Sequence, residues 1–165
     1  MEEQTLKALR WIIEILAKNQ IPYRIGGGFA AHIYGSNRPI NDIDISLSGK
    51  YFEIIVPEVM RYITAGPKHY SNSKWDCDTL SLNYSGQEID MTDIDTLKMS
   101  NKEQTEWFQT KDKYRKFPSI MMGIGGINVS IMDPRDLIAY KKELDGEHQS
   151  VDIEALRKYI TSHNL

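Results

Sequence analysis

Apolar residues recur at helical spacing from the start of the chain: Leu6, Leu9, Ile13 and Leu16 share one face, and Ile12 widens the stripe. This spacing predicts a helix over 3–19, ending near Asn19, with Pro22 opening an extended segment. Tyr23 to Ile25 predicts a short strand running into Gly26-Gly27-Gly28, and Phe29 to Tyr34 a turn or two of helix stopped at Gly35. From Asp42 to Leu47 the period changes to two, so a strand is expected with Asp42 and Asp44 on one face and Ile43 and Ile45 on the other. Tyr51 to Ile63 has helical apolar content, with Pro57 marking a first turn or a kink.

Further on, Asp78 to Tyr84 and Gln87 to Thr92 predict two strands joined at Ser85-Gly86. A polar stretch from Lys98 to Lys116 is expected to be mostly helical or irregular. Ser119 to Met122 and Ile127 to Met132, split by Gly125-Gly126, predict a second hairpin. Asp133 as N-cap with Pro134 at the first helical position starts a helix, and Val151 to Ile160 forms a last amphipathic one. No internal repeat, low-complexity tract or linker interrupts the chain. The expectation is an α/β (α+β) domain over 1–165: a helix at 3–19, a core at 20–132 and C-terminal helices at 134–162.

A chain of 165 residues buries about 70% of its unfolded surface and needs no covalent staples. The lone Cys77 excludes an intrachain disulfide framework, fits a reducing cytoplasm, and suits a small core position better than a nucleophile. His32, His69, His148 and His163 are scattered without zinc-ligand spacing. Glu2 and Glu3 stand where a signal peptide would be basic, and no apolar run approaches the ~18 residues of a membrane span. A cytoplasmic protein without a membrane partner is expected. The formal charge of −3 opposes a dedicated duplex-DNA binder, while leaving a small acceptor open.

The chemistry concentrates in two strands. Asp-x-Asp alone is common on solvated strand faces, but here isoleucines flank it and a strand–glycine–helix rhythm precedes it. Two adjacent carboxylates repel unless a cation sits between them, and such a pair suits Mg²⁺ together with substrate phosphates. Gly27 and Gly28 let backbone approach a phosphate, although no Walker or G-x-G-x-x-G pattern is present. Glu88 and Asp90 share a strand face, and Asp90 is the candidate third carboxylate, as metal ligand or proton acceptor. Asp93 and Asp95 read as turn residues. Arg38 is either a triphosphate clamp or a surface arginine, and Lys141 either a phosphate contact or a solvated helix lysine. Lys111, Lys113, Arg115 and Lys116 near Trp107, Phe108 and Tyr114 form either a nucleic-acid patch or a solvated loop.

Gly27-Gly28, then Gly35, Arg38 and Asp42-Ile43-Asp44, resemble the Gly-Gly/Ser and Asp-x-Asp block of the nucleotidyltransferase superfamily related to DNA polymerase beta. Gln87-Glu88-Ile89-Asp90 is similar to its later carboxylate strand, and Asp133 to Lys141, with Asp152 beyond, to its C-terminal helical segment. The match is to small members such as lincosamide nucleotidyltransferases and the nucleotidyltransferases of toxin–antitoxin systems. Gly28 departs from the serine that many relatives carry, and Glu147-His148-Gln149-Ser150 replaces a basic link.

The resemblance implies a mixed sheet of about three to five strands flanked by helices. It also implies transfer of a nucleoside monophosphate from a triphosphate, ATP foremost, to a hydroxyl, with Mg²⁺ or Mn²⁺ held by Asp42, Asp44 and Asp90. Gly27, Gly28, Arg38 and Lys141 would then be nucleotide contacts, and Trp75, Trp107 and Tyr114 candidates for an acceptor pocket. A small molecule is the leading acceptor, with tRNA or protein as alternatives, and relatives of this size can work as homodimers. The rival functions are a catalytically silent nucleotide-binding partner protein and a metal-dependent phosphohydrolase.

Overall fold

The computed structural model describes residues 1–165. The first apolar stripe forms α1 (Glu3–Lys18), with Leu9, Ile12 and Leu16 fully buried. Strand β1 (Tyr23–Ile25) passes through Gly26 into α2 (Gly27–Ile33), and β2 (Asp42–Leu47) follows. Burial alternates along β2 as its sequence demands: Ile43, Ile45 and Leu47 enter the core, while Asp42, Asp44 and Ser46 stay on the partly open face. Pro57 lies inside α3 (Phe52–Val59), which gives way to a 3-10 turn at Met60.

The remaining strands are β3 (Ile63–Ser71), β4 (Trp75–Tyr84), β5 (Gln87–Asp93), β6 (Lys98–Ser100), β7 (Trp107–Gln109), β8 (Ile120–Ile124) and β9 (Ile127–Ile131). They form one mixed sheet in the order β7-β6-β4-β5-β2-β1-β9-β8, with β3 also paired to β4. Nine strands replace the three to five expected. β3 accounts for one correction. It contains Gly66-Pro67, breaks register between Ala65 and Lys68, and is largely exposed, so no alternation marks it. Proline is tolerated there because β3 is an edge strand. β6 and β7 correct the 98–116 stretch, in which α4 (Thr110–Lys113) is the one helical turn. Three residues are too few to show a period, and β6 exists through its pairing with Trp75 and Asp76 of β4.

The C-terminal helices are α5 (Pro134–Lys141) and α6 (His148–His163). As expected, the Asp133 carboxylate caps α5 by accepting the Arg135 amide at 2.9 Å. A cluster of 29 buried apolar residues runs from α1 and α3 through the sheet to Leu137 of α5 and Leu156 of α6. Thr5 Oγ1 donates to Gln87 Oε1 at 2.7 Å and pins α1 to β5. No helix is long and apolar enough to cross a membrane.

Candidate active site

β2 and β5 pair in parallel, with Asp42 opposite Glu88 and Asp44 opposite Asp90. Equal period and matched register put the carboxylates of both strands on the same side of the sheet. One oxygen from each of Asp42, Asp44 and Asp90 lies within 4.8 Å of the other two. The neighbouring Glu88 is exposed and stands outside this group. On β4, Ser81 faces Asp90 and its Oγ donates to Asp90 Oδ1 at 2.5 Å. Asp93, expected in a turn, is instead the last residue of β5, where it accepts from the Gly49 and Asp95 amides and from Thr96 Oγ1 and holds the turn that follows.

Burial, then repulsion from Asp42 and Asp90, pushes the Asp44 carboxyl up to about 7, against the pull of Lys141 and of the Gly28 N–H. Asp42 is raised too, by burial first and Asp90 next. Without a cation, Asp44 and Asp42 therefore keep their protons to higher pH than ordinary aspartates do. An all-oxygen donor set of this kind fits Mg²⁺ or Mn²⁺, whose charge would remove the repulsion.

The glycines serve two different purposes. Gly27 has φ of +60°, and a Cβ there would stand 1.7 Å from Asp44 Oδ2. A Cβ on Gly28 would meet nothing within 4 Å. The backbone at Gly28 therefore borders open space next to the carboxylates.

Arg38 and Lys141, both expected as phosphate contacts, converge on one buried acid. Asp152 Oδ2 receives Arg38 Nη1 at 2.6 Å and Lys141 Nζ at 2.8 Å, and its Oδ1 receives Ser36 Oγ at 2.6 Å. Burial acts to raise Asp152, but the bonds from Lys141 and Ser36 hold its carboxyl below the usual range. Lys141 is 3% exposed, so the solvated-lysine alternative fails. Two cations share a single carboxylate, which leaves the group with a net positive charge.

A cavity of about 470 Å³ opens over Asp44 and Asp90 and is walled by Tyr70, Trp75, Tyr114 and Tyr140. Of the aromatics named as acceptor-pocket candidates, Trp75 and Tyr114 line this cavity, whereas Trp107 is 49% exposed and does not. Cys77 lines it as a buried thiol pushed up to about 11 by burial and neighbouring acids, which rules out a thiolate at neutral pH. The Thr110 and Tyr114 hydroxyls are buried without a protein partner. Ser36, Ser81 and Arg24 were not visible as site residues in the sequence. For Arg24 a signal existed, since its place on β1 opposite Ser46 puts it on the carboxylate face.

No protein-family model and no curated protein sequence matches this chain. Solved structures do. A candidate nucleotidyltransferase from Thermotoga maritima superposes with a TM-score of 0.68 at 16% identity, covering 98% of this chain and 96% of that one. The lincosamide antibiotic adenylyltransferase LnuA, solved with lincomycin bound, gives 0.61 at 12% identity, covering 93% and 96%. ANT(2'')-Ia, solved in complex with adenylyl-2''-tobramycin, gives 0.59 at 15%, covering 96% and 89%. The chain has the nucleotidyltransferase fold.

Proposed function

We propose that the protein is a metal-dependent nucleotidyltransferase, one domain over 1–165, that moves a nucleoside monophosphate from ATP or another triphosphate to a small-molecule hydroxyl. The observation that carries this reading is the meeting of Asp42, Asp44 and Asp90 beside the open backbone at Gly28. The fold supports it, as do two of the neighbours, one with lincomycin bound and one with an adenylylated tobramycin.

In this reading Asp42, Asp44 and Asp90 hold Mg²⁺ or Mn²⁺. The bound cation supplies neutralisation of phosphate charge and of the departing oxygen. The Gly27-Gly28 backbone and the surplus positive charge of Arg38 and Lys141 around Asp152 seat the triphosphate. The acceptor oxygen forms a bond to the α-phosphorus, the bond from that phosphorus to the bridging oxygen breaks, and pyrophosphate leaves. Asp90, held by Ser81, takes the acceptor proton. The aromatic walls of the 470 Å³ cavity hold the acceptor and exclude water.

The test is incubation with ATP, Mg²⁺ and a library of hydroxyl compounds, following pyrophosphate release and product mass. A nucleotidyl adduct on a small molecule supports the proposal. Nucleotide binding without turnover on any acceptor supports the silent-partner alternative, and phosphate release without adduct supports a phosphohydrolase. An adduct on RNA or protein would move the acceptor class.

A further inference from the structure

A second cavity, of about 650 Å³, opens at the far end of β2, where Pro22–Arg24, Leu47–Tyr51 and Arg115–Ser119 meet. Four cations line it, Arg24, Lys50, Arg115 and Lys116, against one carboxylate, Asp95. Asp95 already accepts from Ser48 Oγ at 2.5 Å. Lys50, Arg115 and Lys116 are exposed, and none of the four cations makes an ion pair. This local excess runs against the −3 of the whole chain.

Arg24 is the decisive member. It is 7% exposed, and its one hydrogen bond to the protein runs from Nη1 to the Tyr114 carbonyl at 2.7 Å. A guanidinium this deep is costly without an anion beside it. Burial, then repulsion from Arg115, lowers Arg24 to about 10 against the pull of the buried Asp136 carboxylate, whose oxygens already accept the Lys116 and Phe117 amides. The earlier choice between a nucleic-acid patch and a solvated loop therefore divides by residue. Lys113 stacks on Phe108, 3.7 Å from its ring centroid, while Arg115 and Lys116 turn to the cavity.

We propose that this cleft binds the phosphate group of a phosphate ester. Four cations call for a multiply charged anion, and a phosphomonoester carries about −1.5 to −2 near neutrality. Guanidinium forks from Arg24 and Arg115 match tetrahedral oxygens. Arg24 and Ile94 line this cleft and the carboxylate cavity alike, so a ligand anchored here extends toward Asp44, roughly 13 Å away along β2. The site goes beyond the transferase reading and stands without it.

The test is an amide NMR titration in EDTA with inorganic phosphate and, separately, adenosine 5′-monophosphate. The wild type, Asp44→Asn and Arg115→Glu/Lys116→Glu are compared. Saturable shifts at Lys50, Arg115 and Lys116 are expected, kept in Asp44→Asn and weakened by about tenfold or more in the double variant. Response to the monophosphate, with or without response to phosphate, upholds the ester site; response to inorganic phosphate alone overturns it. Absence of saturable shifts in the wild type, or undiminished binding in the double variant, overturns the proposal. Both substituted residues are exposed, and the single variant Lys50→Glu gives the same reading should the double variant not fold. No step depends on turnover, so failure here is separate from failure of the transferase assay.

Discussion

Gly27 and Asp44 occupy one another's space: a Cβ on the glycine would lie 1.7 Å from the carboxylate Oδ2, and the glycine already has a left-handed φ of +60°. Gly27→Ala must therefore displace Asp44 as well as strain the backbone, at about 1–3 kcal/mol for the strain alone. Gly28, the next residue of α2, has no such neighbour. Gly28→Ala should fold normally and gain about 0.5–1 kcal/mol of helix stability. Thermal melts combined with Mn²⁺ titration check the contrast. Equal behaviour of the two variants would remove the argument that Gly27 exists to let Asp44 approach.

The metal-free carboxylates should give stability an inverted pH dependence. The Asp44 carboxyl has a folded value of about 7 and an ordinary value of 3.8. Between these limits the folded chain keeps a proton that the unfolded chain releases, so stability falls as pH rises across the window. Above pH 7 the loss is complete, on the order of 4 kcal/mol. Asp44→Asn removes the titration and should be the more stable protein at pH 8 in EDTA. Urea melts from pH 4.5 to 8 decide it, and parallel curves for wild type and variant would contradict the crowding of the three acids.

The same groups should act in the opposite sense when cation and nucleotide are present. Asp42→Asn or Asp44→Asn should lower transfer by about 10²–10³-fold or more. Mn²⁺ affinity of the wild type should rise with pH through 7, because Asp44 must lose its proton to become a ligand. Near-normal turnover by either variant would end the metal assignment.

The part of the site that lies within two strands was legible because period two announces itself in Asp42-Ile43-Asp44-Ile45 and again in Glu88-Ile89-Asp90-Met91. Faces follow from alternation, and the parallel register then brings Asp90 to Asp44. What failed depended on partners distant in the chain. β6 is three residues long and is fixed by pairing with β4, and β3 hides behind Gly66-Pro67 at a sheet edge. Arg38 and Lys141 looked like free cations because Asp152, 114 residues from Arg38, becomes their neighbour only when α6 folds back. Arg24 lies in a strand that was expected, Tyr23 to Ile25, but its depth is a property of the surrounding segments.

Asp152 gives the sharpest division between structure and chemistry. Its carboxylate is fully buried and satisfies Ser36, Arg38 and Lys141 at once. Asp152→Ala removes the carboxylate that bonds Lys141 and Arg38, and breaking such a buried pair costs about 3–5 kcal/mol. Because Asp152 sits below the ordinary range and the unfolded chain does not, this contribution is present above about pH 4 and disappears as pH falls through the folded value. Lys141→Met with Asp152→Leu replaces the pair by apolar groups and should recover much of the lost stability, while Arg38 stays without its partner. If Lys141 also serves a triphosphate, the recovered double variant will bind ATP and Mg²⁺ at least about tenfold more weakly than wild type. Urea melts and ATP titration on the same samples separate the roles: recovered stability with wild-type nucleotide affinity would assign Lys141 to the fold alone.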